Sequence, residues 1–168
     1  MIEHASSFAS GLIHPLHGAD HLVAMLAVGV WGAIAGGRAV RVWPIAFVAM
    51  MLVGFATAVS GIAVPIVEPV VWLSVVVLGL LVALAVNAPV WFGAAIIGLF
   101  AFFHGHVHGT DAATSSLIAY ASGLAITTGV LHAAGIGLCR IGSSSVGRVA
   151  VRTMGAVAAF GGILAMAG

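Results

Sequence analysis

The stretch LIHPLHGADHLVAM, residues 12–25, sets His14, His17, Asp20 and His21 close together at the edge of a strongly apolar run. A second group stands in FHGHVHGTD, where His104, His106, His108 and Asp111 follow one another. Imidazole nitrogen with carboxylate oxygen suits a first-row divalent cation such as nickel, cobalt or zinc, and the ligand types alone do not rank these ions. The single cysteine, Cys139, excludes a disulfide framework and a thiolate cluster, and an apolar packing role is expected for it. In an unbroken helix His14, His17 and His21 are related by i, i+3 and i+7 and lie in one stripe, with Asp20 beside it. His104, His108 and Asp111 share a face by the same rule, and His106 points roughly the other way. A lone histidine near a membrane boundary is usually just a hydrogen-bonded residue, so the clustering carries the argument. His4 and His106 are weak candidates on that ground, and Met25, four residues after His21, is read as packing before it is read as a soft neighbour.

The elements that position these groups follow from composition. Of the 168 residues, 62% are hydrophobic and 5% charged, against roughly 25% charged in a soluble domain. A water-facing surface cannot be built from so few charges, so lipid must surround most of the chain. The net charge of +1 rests on five basic residues, all arginines, which is too few for a nucleic-acid surface. We read an all-α integral membrane protein: one transmembrane domain, 1–168, with six spans near 8–35, 44–63, 70–86, 90–108, 113–139 and 147–167. Pro15 and Gly18 interrupt the first span, and a broken helix at membrane depth is a common way to line an ion path. Abundant glycine within the spans, such as Gly32 with Gly36 and Gly105 with Gly109, predicts close helix packing. Trp31, Trp43, Trp72 and Trp91 stand near predicted span ends, where interfacial anchors belong. The first residues, MIEHASS, do not read as a cleavable signal, so either the first span directs its own insertion or a leader is already gone.

Orientation follows from the arginines. Arg38 and Arg41 lie between the first two spans, and Arg140, Arg148 and Arg152 flank the connection between the last two. With six spans these connections share a side, which the positive-inside rule makes cytoplasmic. Both termini are then expected on the outer, periplasmic side. Glu3, Glu68 and Asp111 fall on that outer side as well, and Asp20 lies one to two turns in from it. The two histidine clusters therefore meet at one membrane depth. Ionisable groups inside a span are costly to bury and are functional candidates by default. His132, deep in the fifth span toward the cytoplasm, is either a second way-station or a satisfied interior histidine.

On residues alone, three functions stay open: a metal permease, a membrane haem protein with paired axial histidines, and an intramembrane zinc hydrolase. Haem asks for facing histidines near mid-membrane in an apolar slot. No H-E-x-x-H motif favours the hydrolase, and no Walker motif points to ATP hydrolysis. The residues resemble the HupE/UreJ family of nickel and cobalt permeases. His14, Pro15, Gly18, Asp20 and His21 match its first signature; Phe103, His104, Gly105, His108, Gly109 and Asp111 match its second. The segments around Glu68 and His132 are also of the family's kind, and the likeness covers essentially the whole chain. The family pattern carries Glu where Asp111 stands and an apolar or hydroxylic residue where His17 stands, and His106 is an addition. The resemblance implies a multi-pass protein of the bacterial cytoplasmic membrane, in a family whose members are typically made with a cleavable leader. It also implies uptake of nickel or cobalt for enzymes such as hydrogenase or urease. The ion is then cargo and no prosthetic group is needed; the partners are the ion and the bilayer, with self-association into a homo-oligomer left open. His14, Asp20, His21, His104 and His108 would capture the ion at the outer mouth, joined by Asp111, Glu68 and His17, with His132 on the way in.

Overall fold

The structure is a computed structural model. It describes residues 2–112, 114–142 and 144–167, with the backbone alone for 2–5. The side chains of Glu3 and His4 lie outside the described residues, as does Ala113, where the fifth span was expected to begin. The described residues form seven α-helices and no strand: α1 (Ile2–Ile13), α2 (Ala19–Ala35), α3 (Ala39–Val59), α4 (Val67–Ala83), α5 (Val90–Thr110), α6 (Leu117–Ile141) and α7 (Ser145–Ala167). A 3-10 turn, His14–Leu16, joins α1 to α2.

Helices α3, α5, α6 and α7 are long and apolar enough to cross a membrane. The segment from Ser6 through α2 makes a fifth span if it is counted as one, and it bends by 79° at the break. Helix α4 is apolar but has 17 residues, about 26 Å of helix. Helices α3 and α4 begin earlier than expected, and each takes up a proline that the sequence reading set at its boundary. Helix α3 starts at Ala39 and carries Pro44 within it, where the expected span began at that proline. Helix α4 starts at Val67, so Pro69 falls in its first turn, where its missing N–H costs no helical hydrogen bond.

The break between α1 and α2 comes from the sequence. Pro15 sits in the 3-10 turn, and Gly18 is extended, at φ −98° and ψ 117°, before α2 restarts. A helix broken at membrane depth must find other partners for its freed backbone groups. The Leu12 carbonyl accepts from Thr127 Oγ1 of α6 at 2.8 Å. Ser7 of α1 is tied to Thr114 and Ser115, in the connection before α6, through their hydroxyls.

Helix pairing is tight where glycine removes a side chain. A Cβ on Gly105 of α5 would stand 1.8 Å from the Met51 carbonyl oxygen of α3, and one on Gly29 of α2 would stand 2.1 Å from that of His132 on α6. Gly109 packs closely against Phe55, as expected, whereas Gly36 meets nothing and ends α2 at φ +71°. The core that results is centred on Met25, Trp31, Trp43, Phe47, Met51 and Leu124, all fully buried. Val149, Val157 and Phe160 of α7 are exposed instead, as lipid-facing residues are.

Trp31 and Trp43 depart from the interfacial reading. Both are fully buried, with ring centroids 4.2 Å apart. Their indole N–H groups donate to the Val86 and Val90 carbonyls, each at 2.8 Å, and so clamp the α4–α5 connection. A buried indole needs an acceptor, and a chain turning between helices supplies one. Trp91, by contrast, is 73% exposed. Arg152 Nε donates to the Ala83 carbonyl at the end of α4. These three bonds gather the α2–α3 turn, the α4–α5 turn and the start of α7 at one end of the bundle. That end carries the arginines.

Candidate metal centre

The histidines converge at the other end. His14 comes from the 3-10 turn, His21 from the first turns of α2, and His104 and His108 from one face of α5. Their rings meet in succession: His14 and His108 at 5.0 Å between centroids, His108 and His21 at 4.5 Å, His21 and His104 at 4.8 Å. The break makes this possible, because it turns His14 out of the α2 register and over the end of α5. His104 and His108 are almost wholly buried and His21 nearly so.

Hydrogen bonding fixes which nitrogen of two rings carries a lone pair. His21 Nδ1 lies 3.0 Å from Asp20 Oδ1. A carboxylate only accepts, so Nδ1–H donates and the lone pair falls on Nε2. Ser74 Oγ donates to the Val71 carbonyl at 2.6 Å and lies 2.8 Å from His104 Nε2. Its one hydrogen is already used, so His104 Nε2–H donates to Ser74 and the lone pair falls on Nδ1. His21 Nε2 and His104 Nδ1 are both buried without a hydrogen-bond partner, as are both ring nitrogens of His108. A buried polar atom left unpaired costs about 1–3 kcal/mol, and three rings paying that cost at one place make a set of donors waiting for a cation. A carboxylate or hydroxyl behind a ligating imidazole is the usual orienting arrangement at metal sites.

The rings meet edge to face, not around a common point. Among the described residues no group of three or more His, Cys, Asp or Glu side chains is arranged to hold a metal ion. Imidazole χ2 is soft, so ring rotation is the motion that would gather them.

The remaining candidates separate by position. Asp20 braces His21. Asp111 Oδ2 stands 4.0 Å from His14 Nε2, at the exposed rim. His17, which a continuous helix would have put in the stripe, is exposed at the break and makes none of these ring contacts. Glu68 lines a polar pocket of about 530 Å³ beside the cluster, together with Asp111 and His106. His106 does point away from the rings: its Nε2 donates to the Ile62 carbonyl at 3.0 Å. His132 lies inward, beyond Phe47, whose ring is 5.7 Å from that of His104 and 4.9 Å from that of His132. Both His132 nitrogens are buried without partners, so it is not a satisfied interior histidine.

Three contributors escaped sequence reading. Ser74 is the one hydroxyl in the apolar run of α4, and that isolation was its signal. Tyr120, the chain's single tyrosine, is buried with its ring 5.8 Å from His14 and its hydroxyl unpartnered. Phe47 carries no signal, since a phenylalanine in an apolar span is unremarkable.

The family model described as HupE / UreJ protein matches residues 1–165. The chain belongs to the HupE/UreJ family. Protein HupE of Rhizobium leguminosarum bv. viciae is 42% identical over 166 residues, covering 98% of this chain and 87% of that one. No solved structure matches the chain. The family is of the nickel and cobalt transporter type. The two stretches that resemble the family's signatures fall on the histidine cluster, one on the broken helix and one on the end of α5.

Proposed function

We propose that this protein takes up nickel or cobalt ions across the bacterial cytoplasmic membrane as a secondary permease, capturing the ion at the histidine cluster. One observation carries the reading: the His21 ring meets those of His104 and His108 while buried ring nitrogens on each of the three lack a hydrogen-bond partner. Neutral imidazoles replace the waters of the incoming dication, and Asp20 and Asp111 offset charge that the bilayer penalises. Glu68 and Asp111 at the rim of the neighbouring pocket draw the ion toward the rings. In this reading α1 and α2 together form one span and α4 another, which makes six, with both termini and the cluster outside and the arginine end in the cytoplasm. A haem between these histidines would have to separate rings already in contact, which weighs against that alternative.

The test is uptake of radioactive nickel and cobalt into proteoliposomes under an inside-negative potential. Wild type is compared with Asp20→Asn and His21→Ala, after both variants are shown to insert and stay folded. Uptake by wild type that both substitutions abolish supports the permease. Flux indifferent to both, or none at all, overturns it.

A further inference from the structure

Inward of the cluster the bundle axis does not turn aliphatic. Met25 of α2 and Met51 of α3 are fully buried, and both sulfurs lie 3.5 Å from Thr128 Oγ1 of α6, itself fully buried. One hydroxyl thus draws two thioethers from different helices to the same point. Met25 follows His21 by one helical turn on α2, and Thr128 precedes His132 by one turn on α6. On α2 and α6, Met25 and Thr128 therefore lie between the outer rings and His132, about 6 Å of helix from His21 and from His132 respectively, while the Met51 backbone packs against Gly105, beside His104. Phe47 ties the two levels together, one turn from Met51 on α3 and in ring contact with both His104 and His132. Past His132 stand Trp31 and Trp43, their rings tilted against each other.

Methionine fills irregular gaps in many cores. Gap filling asks only for shape. It does not call for a hydroxyl aimed at two sulfurs, or for an imidazole one turn further in with both nitrogens bare. Asp20, Glu68 and Asp111 all belong to the His14 end, so among the described residues this level holds soft and borderline donors without a carboxylate.

We propose that Met25, Met51 and His132 form an inner transit site for the divalent ion captured outside, an inference that rests on the permease reading above. Thioether sulfur and imidazole accept a borderline ion such as nickel or cobalt. Magnesium and calcium require oxygen ligands, and magnesium sheds water reluctantly, so they find no adequate replacement for their hydration shell at this level. The site is weak by construction, since thioethers are poor donors and no anion offsets the charge. Conduction needs that weakness, because an ion held as tightly inside as outside does not leave.

The experiment uses the full-length protein labelled with selenomethionine and loaded with excess cobalt(II) alone. X-ray absorption at the cobalt edge then reports whether selenium is a neighbour. The expected result is a selenium shell in the wild type that disappears in Met25→Leu/Met51→Leu, with nitrogen ligation retained. In uptake, the same double variant, which conserves volume, is expected to lower the maximal rate about tenfold with the half-saturating external concentration unchanged. Cobalt bound through nitrogen and oxygen only, with no selenium neighbour in the wild type, overturns the inner site and leaves the outer one standing. Absence of any bound cobalt overturns both readings. The wild-type spectrum decides the matter even if the double variant does not fold.

Discussion

At the scale of the residue, the behaviour of the cluster turns on which nitrogen holds a proton. Ser74 accepts from His104 Nε2 and so keeps the His104 lone pair on the buried Nδ1. Ser74→Ala leaves that N–H buried without an acceptor, which is expected to cost about 1–3 kcal/mol in stability. Nickel affinity is expected to fall about 10-fold or more, because the ring loses its orientation. Thermal unfolding in detergent and calorimetric titration with nickel check the two halves, and unchanged affinity would rule out the bracing role. Proton competition supplies a second prediction. Imidazole binds metal only when neutral, so protonation of the cluster opposes the ion and affinity drops on acidification. Calorimetry under acidic conditions, in buffers of different ionisation enthalpy, is expected to show proton release on nickel binding; a buffer-independent enthalpy there would contradict this.

At the scale of the element, the broken first span and the α3–α5 contact place the rings. Gly105 lies between His104 and His106, and a methyl group there would sit 1.8 Å from the Met51 backbone oxygen. Gly105→Ala must push α5 off α3, and we expect a loss of about 3 kcal/mol or more together with loss of nickel uptake. Gly137 on α6 meets nothing within 4 Å. Gly137→Ala is therefore expected to be neutral or to gain up to about 1 kcal/mol from helix propensity. Thermal denaturation of the two variants in one detergent compares them directly; equal stability would mean that the helix contact does not govern the site. The break is equally local in origin, since Pro15 and Gly18 end one helix and permit the next. Thr127 makes it affordable in lipid by taking the Leu12 carbonyl.

At the scale of the whole molecule, the two ends of the bundle differ in kind. The arginines, the clamped tryptophans and the α4–α5 turn gather at one end, and Asp20, Glu68, Asp111 and the clustered histidines at the other. The permease reading places the histidine end outside. In a Cys139→Ala background, Ile62→Cys is expected to react with a membrane-impermeant maleimide added to intact cells. Ser144→Cys, at the α6–α7 turn, is expected to react only after the membrane is opened. The reverse pattern would invert the topology and the direction of transport. A dication moving toward a negative interior gains about 4.6 kcal/mol per 100 mV, twice the single-charge figure. Initial nickel uptake in proteoliposomes is accordingly expected to rise with imposed potential and to collapse with an ionophore that dissipates it; a rate indifferent to potential would require another drive.

Composition and hydrophobic run length determined by themselves that this is a helical chain for lipid, because no charge-poor surface of that size is tolerated in water. Residue type and spacing also made the candidate cluster legible: His14, Asp20, His21, His104 and His108 read as two groups, and chain topology alone set both at one end of the bundle. Helix starts were less legible, since Pro44 and Pro69 read as boundaries but are taken up by their helices, Pro69 in the first turn of α4 and Pro44 inside α3. Only the tertiary structure decided the rest. It removed His17 from the stripe, because a 79° bend replaces the helical register on which that stripe depended. It buried Trp31 and Trp43, because the turn between α4 and α5 offered their indoles acceptors. It set Ser74 behind His104, Phe47 between two histidines, and Met25 with Met51 on one hydroxyl. Such pairings join residues from different helices, and spacing along one helix carries no information about what another helix presents to it.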